Sequence, residues 1–132
     1  KNPAMREKFA EASEGIMGSI NVIAYQAMLA AYRDGEPWRM ELIRYLQNNR
    51  DYLAQRIRKI PGISMNPVEA TYLAWLDVRP LALEDPLAFF ESAGVGLSDG
   101  AQFAGPGFMR LNFACPRAIL TEACDRIERA VS

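Results

Sequence analysis

The run Gly107-Phe108-Met109-Arg110-Leu111-Asn112-Phe113-Ala114-Cys115-Pro116 sets one arginine into a short apolar segment closed by a proline. Alternation assigns Met109, Leu111 and Phe113 to one face of a strand, with Phe108, Arg110 and Asn112 on the other. A guanidinium withdrawn from water without a partner is costly, so this position calls for an anion. That anion is either a structural Asp or Glu or the carboxylate of a ligand. Asn112 shares the face and can hold the guanidinium, a ligand oxygen or a purely structural hydrogen bond.

Other chemistry is limited by what the chain contains. There is no histidine, which removes Ser-His and Cys-His nucleophiles and leaves too few ligands for zinc, so no metal is expected. Cys115 and Cys124 do not form a C-x-x-C pair and read as reduced, structural thiols. Lys1, Lys8 and Lys59 read as solvated charges. The loop from Gly94 to Gly107 is glycine-rich but lacks the G-x-x-x-x-G-K-[ST] pattern, so turn geometry explains it better than a phosphate cradle. Tyr72 reads as a core aromatic or as a hydroxyl donor, and Ser19 and Asn21 read as helix caps.

A net charge of −1 gives no general attraction to nucleic acid or to an anionic membrane. No apolar run reaches the roughly 18 residues of a membrane span, and no signal peptide is seen. The two reduced cysteines give the expectation of a cytoplasmic protein.

These side chains need elements to hold them. Asn2-Pro3 pairs a cap with proline at the first helical position and predicts a helix to about Ser13. From Ile20 to Tyr32 apolar residues nearly encircle a second helix, which must be deeply buried or lie at a subunit contact. Pro37 opens the longest helix, with Leu42, Leu46, Leu53, Ile57 and Ile60 on one stripe, and Pro61-Gly62 stops it. Gln47, Asn48, Arg50, Asp51 and Arg58 form its polar side, and Trp38 reads as a packing anchor.

Ile63 to Met65 is a short strand and Thr71 to Val78 a stronger one, apolar enough on both sides to be covered above and below. Asp85-Pro86 starts another helix, and Val95 to Ser98 forms an edge strand. The Arg110 strand follows, and Pro116 opens a last helix with Ile119, Leu120, Ala123, Ile127 and Val131 inward. At 132 residues this is one α/β domain, a small sheet of three to five strands packed with helices and preceded by connecting helices.

Glu69 through Asp77, Gly94-Val95 through Gly100 and Phe103, and Gly107 through Pro116 together resemble the C-terminal part of fold-type I pyridoxal-phosphate enzymes. The cystathionine β-lyase (C–S lyase) branch of the class I/II aminotransferase superfamily is the nearest likeness. Gly35-Glu36-Pro37-Trp38 leading into Tyr45 to Tyr52 also looks like that branch. The resemblance spans about Asn2 to Val131.

It implies a pyridoxal 5'-phosphate (PLP) cofactor, an amino-acid substrate, a homodimer, and cleavage of amino-acid thioethers to thiol, pyruvate and ammonia. It also implies that Arg110 pairs with the substrate carboxylate, that Gly100, Phe103, Tyr72 and Asn112 line the substrate side, and that Ser19 and Asn21 reach a neighbouring subunit's cofactor phosphate. The family's cofactor lysine has no counterpart in context, so residues 1–132 are expected to be a small C-terminal domain, inactive alone and lacking catalytic residues. The divisions expected are connecting helices over 1–36, a long helix over 37–60 and an α/β core over 61–132. An aminotransferase shares the arginine, and a transcription regulator's effector-binding domain shares the module without turnover.

Overall fold

The structure is a computed structural model that describes residues 2–16, 18 and 20–132. Two compact units divide the chain, residues 1–40 and residues 41–132. No helix among the described residues is long and apolar enough to cross a membrane.

The first unit contains α1 (Pro3–Ser13), α2 (Val22–Asp34) and the start of α3 (Glu36–Ile57). Asn2 caps α1 by accepting from the Ala4 amide at 3.0 Å, and proline follows at the first helical position. Asn21 caps α2 by accepting from the Ala24 amide at 2.7 Å. Neither helix buries a side chain. Val22, Ile23, Tyr25, Met28, Leu29 and Tyr32 of α2 are exposed. Trp38 is 69% exposed and anchors no packing here, contrary to its reading from sequence.

The second unit is an antiparallel sheet with helices against one face. Its strands are β1 (Ser64–Met65), β2 (Leu73–Asp77), β3 (Ser98–Asp99) and β4 (Phe108–Asn112), in the spatial order β1-β2-β4-β3. Helices α4 (Pro86–Ser92) and α5 (Arg117–Val131) complete it. Along β2 and β4 burial alternates residue by residue, as a pleated strand with one covered face requires. Ala74, Leu76, Met109, Leu111 and Phe113 enter one core with Leu53 and Ile57 of α3, Phe90 of α4, and Leu120, Cys124 and Ile127 of α5. The opposite face of β2 is only half-buried, so the strand is central in the sheet but is not covered on both sides.

Several boundaries differ from the sequence expectation. β2 begins at Leu73 because Thr71 has φ 68°, a left-handed conformation that extended pairing cannot use. The edge strand falls at Ser98–Asp99, after the Gly94 turn has straightened. On α5, Ile119 is 60% exposed and Cys124 takes an inward place, because Leu120, Cys124 and Ile127 share one stripe at spacings of four and three.

One polar residue lies inside. Asn49 is fully buried on α3, and its amide nitrogen donates to the carbonyls of Phe113 at 2.9 Å and Cys115 at 3.0 Å. The Tyr45 hydroxyl donates to the same Cys115 carbonyl at 3.0 Å. These bonds fasten the end of β4 to the long helix and so fix where Arg110 stands.

Candidate substrate-carboxylate site

Arg110 occupies the middle of β4, on the face turned away from the core. The register places Trp75 of β2 on one side of it and Ser98 of β3 on the other. Its Nη2 donates to the Ser98 hydroxyl at 3.1 Å. Its guanidinium carbon lies 4.2 Å from the centre of the Phe103 ring, within cation–π range. The arginine is half-buried, with one face on an aromatic ring and one N–H on a neutral hydroxyl.

No described acid neutralises it. Asp99, next to Ser98, turns its carboxylate to the Ala101 amide at 2.9 Å. Asp77 pairs with Arg79 at 2.6 Å, and that guanidinium holds the Asp77 carboxyl below the usual carboxylate range. Arg79 in turn lies over the Phe108 ring at 4.6 Å. Of the two anions that the sequence leaves open for Arg110, the structural one is not found among the described residues.

The loop that carries Phe103 is tightly held. Gly100 opens a 3-10 turn over Gly100–Phe103, capped by Asp99. A side chain at Gly100 would collide with the carbonyls of Gly105 and Phe108, so the turn lies flush on the start of β4. Trp75 stacks on Phe108 with ring centres 5.6 Å apart and meets Phe103 edge-on at 6.3 Å. An aromatic floor thus runs beneath the arginine.

The other candidates divide. Asn112 lies on the same face of β4 two residues along, with its side-chain oxygen accepting from the Ala114 amide at 2.9 Å. That leaves its nitrogen available to a ligand oxygen. Tyr72 lines a hollow of about 300 Å³ with Ile43, Leu46, Arg50, Thr71 and Phe113, and its carbonyl accepts from the Phe113 amide at 3.0 Å. Asn21 spends its side-chain oxygen on capping α2, and Ser19 lies outside the described residues.

Ser98 had no signal of its own in the sequence, since only strand pairing reveals it opposite Arg110. Asn49 could have been found, because it stands three residues from Leu46 and four from Leu53 on the apolar stripe of α3.

The residues fit the substrate side of a PLP site better than the cofactor side. Lys8 and Lys59 are exposed and lack the desolvated setting that activates a lysine, and Lys1 lies outside the described residues. Both thiols are free, and burial raises both pKa values, that of Cys124 to about 11.

A four-stranded antiparallel sheet packed with helices is the small-domain architecture of fold-type I PLP enzymes. The aminotransferase class I and II family matches residues 2–127, and the chain belongs to that family. It is 34% identical to the cystathionine beta-lyase PatB of Bacillus subtilis, over 96% of this chain and 35% of PatB. The crystal structure of OvoB superposes with a TM-score of 0.95 at 43% identity, over 99% of this chain and 35% of OvoB. The PLP-bound C-S lyase of Staphylococcus hominis, complexed with the inhibitor L-cycloserine, superposes with a TM-score of 0.86 at 32% identity, covering 99% of this chain and 33% of that one. The chain spans about a third of the length of the curated relatives it matches.

Proposed function

We propose that residues 1–132 form the C-terminal, carboxylate-binding domain of a PLP-dependent C–S β-lyase acting on an amino-acid thioether such as cystathionine or a cysteine conjugate. Overall, thioether and water give thiol, pyruvate and ammonia. The observation that carries this reading is Arg110, half-buried and stacked, with a hydroxyl for its polar partner and no acid beside it among the described residues. The named lyases at over 30% identity support the reaction class.

Each residue's part follows from its chemistry. An arginine fork binds a carboxylate through two parallel N–H bonds and so fixes orientation as well as position. Holding the carboxylate orients the bonds at the substrate's α-carbon. Asn112 would add a donor from its side-chain nitrogen, while Gly100 and Phe103 form the adjoining wall.

The cofactor's lysine and phosphate ligands belong, in this reading, to the rest of the protein. PLP supplies an electron sink when bound, and the protein supplies orientation and electrostatics. Two free cysteines accord with a cytoplasmic location. A homodimer is supported by α2, whose exposed apolar side chains suit a subunit contact.

The test is to assay the whole protein with cystathionine, following thiol and pyruvate, beside amino transfer to a 2-oxo acid. Stoichiometric thiol and pyruvate are expected. Amino transfer without thiol release would make the protein an aminotransferase, which shares the arginine.

A further inference from the structure

Ser98 is tied to Arg110 through its oxygen, and among the described residues its own hydrogen has no acceptor. We infer that Ser98 is a second donor to the same carboxylate that Arg110 binds, and that Phe103 is the platform that orients the arginine fork. This inference rests on the carboxylate reading above and goes further, assigning the specificity of that site to two more residues.

The hydroxyl accepts from Nη2 and can donate at the same time, since a serine oxygen has two lone pairs and one hydrogen. Ser98 uses one of the five guanidinium N–H groups and leaves an edge with two parallel donors free. A carboxylate seated on that edge lies beside the hydroxyl. The choice of a hydroxyl matters electrostatically. An acid at this position would orient the guanidinium but cancel its charge, whereas serine orients it and leaves the charge for a ligand.

Phe103 restrains the remaining freedom. Its ring lies under the guanidinium and meets Trp75 edge-on, while the turn that carries it is capped by Asp99 and seated on β4 at Gly100. Arginine is a flexible side chain, and ordering it before the ligand arrives lowers the entropic cost of binding. Phe103 is therefore a positioning residue rather than a contact surface for the substrate's side chain.

The experiment uses the whole PLP-loaded protein and a ligand unable to react. The probe is 3-(methylthio)propanoate, which has no amine, compared with its primary amide, which also lacks the negative charge. Dissociation constants are measured by calorimetry. Wild type should prefer the acid. Ser98→Ala should weaken acid binding about tenfold and leave amide binding unchanged, and Ser98→Thr, which keeps the hydroxyl, should restore it. Phe103→Leu should erode the same preference, and Phe103→Tyr should retain it.

Equal losses for acid and amide would mark Ser98 as merely structural and overturn the inference, as would an unchanged preference in Ser98→Ala. Arg110→Lys separates the two claims. If it abolishes the preference while Ser98→Ala does not, the carboxylate site stands and this inference falls. If Arg110→Lys keeps the preference, the carboxylate site itself is wrong.

Discussion

Arg110 and Asn49 show opposite ways of placing a polar group on an apolar scaffold. Asn49 spends its amide nitrogen within the chain, on the carbonyls of Phe113 and Cys115. Its oxygen is buried without a partner, so the two carbonyl bonds fix which way the amide points. Replacing Asn49 with Ala should cost about 1–3 kcal/mol, because the Phe113 carbonyl loses its side-chain donor inside the core. Asn49→Asp should cost more, by turning an oxygen towards two carbonyls. Chemical unfolding of the three proteins checks the order, and Asp as stable as Asn would contradict the assigned bonds. Arg110, by contrast, gives one N–H to Ser98 and has no acid beside it among the described residues, which suits the ligand role proposed for it.

At the scale of elements, pattern decides which side of a helix or strand faces in. The apolar residues of α5 include Ile119, Leu120, Ala123, Ile127 and Val131, yet only the Leu120–Cys124–Ile127 stripe is fully buried. Ile127→Ala should therefore cost about 2–5 kcal/mol and Ile119→Ala well under one, by denaturant melts. Comparable losses would contradict the observed facing.

The same contrast explains what was legible in the sequence. Capped starts such as Asn2-Pro3 and Asp85-Pro86 signalled helices because local hydrogen bonds make them. Alternation along 108–113 gave the two faces of β4 correctly. The Thr71 start failed because a positive φ at a β-branched residue leaves no mark on periodicity. Ser98 was hidden because its partner is twelve residues away, across a sheet register that the sequence does not state. Trp38 reads as a packing anchor from its place beside Pro37, yet it is 69% exposed, because a position next to a helix start does not say which face is covered.

At the scale of the whole molecule, the two units differ in how they treat apolar surface. Residues 41–132 enclose a core, whereas α1 and α2 bury no side chain. Contiguous exposed apolar surface beyond a few hundred Å² is unusual for a soluble monomer and promotes association. The 132-residue chain should therefore self-associate as its concentration rises, with sedimentation reporting the shift. Replacing Ile23 and Leu29 with Gln should weaken that association without lowering the stability of the 41–132 core. A single monomeric species at high concentration would contradict this.

For the whole protein, the central claim is that Arg110 is kept for a substrate carboxylate. The most direct measurement is kcat/KM of Arg110→Lys for an amino-acid thioether and for its carboxamide, with PLP occupancy and Tm followed in parallel. Lysine keeps the charge but loses the planar fork. The account predicts at least a tenfold loss, about 1.4 kcal/mol, for the acid, with little change for the amide, the cofactor absorbance or Tm. Full activity on the acid, or equal losses on both substrates with falling Tm and occupancy, would contradict it.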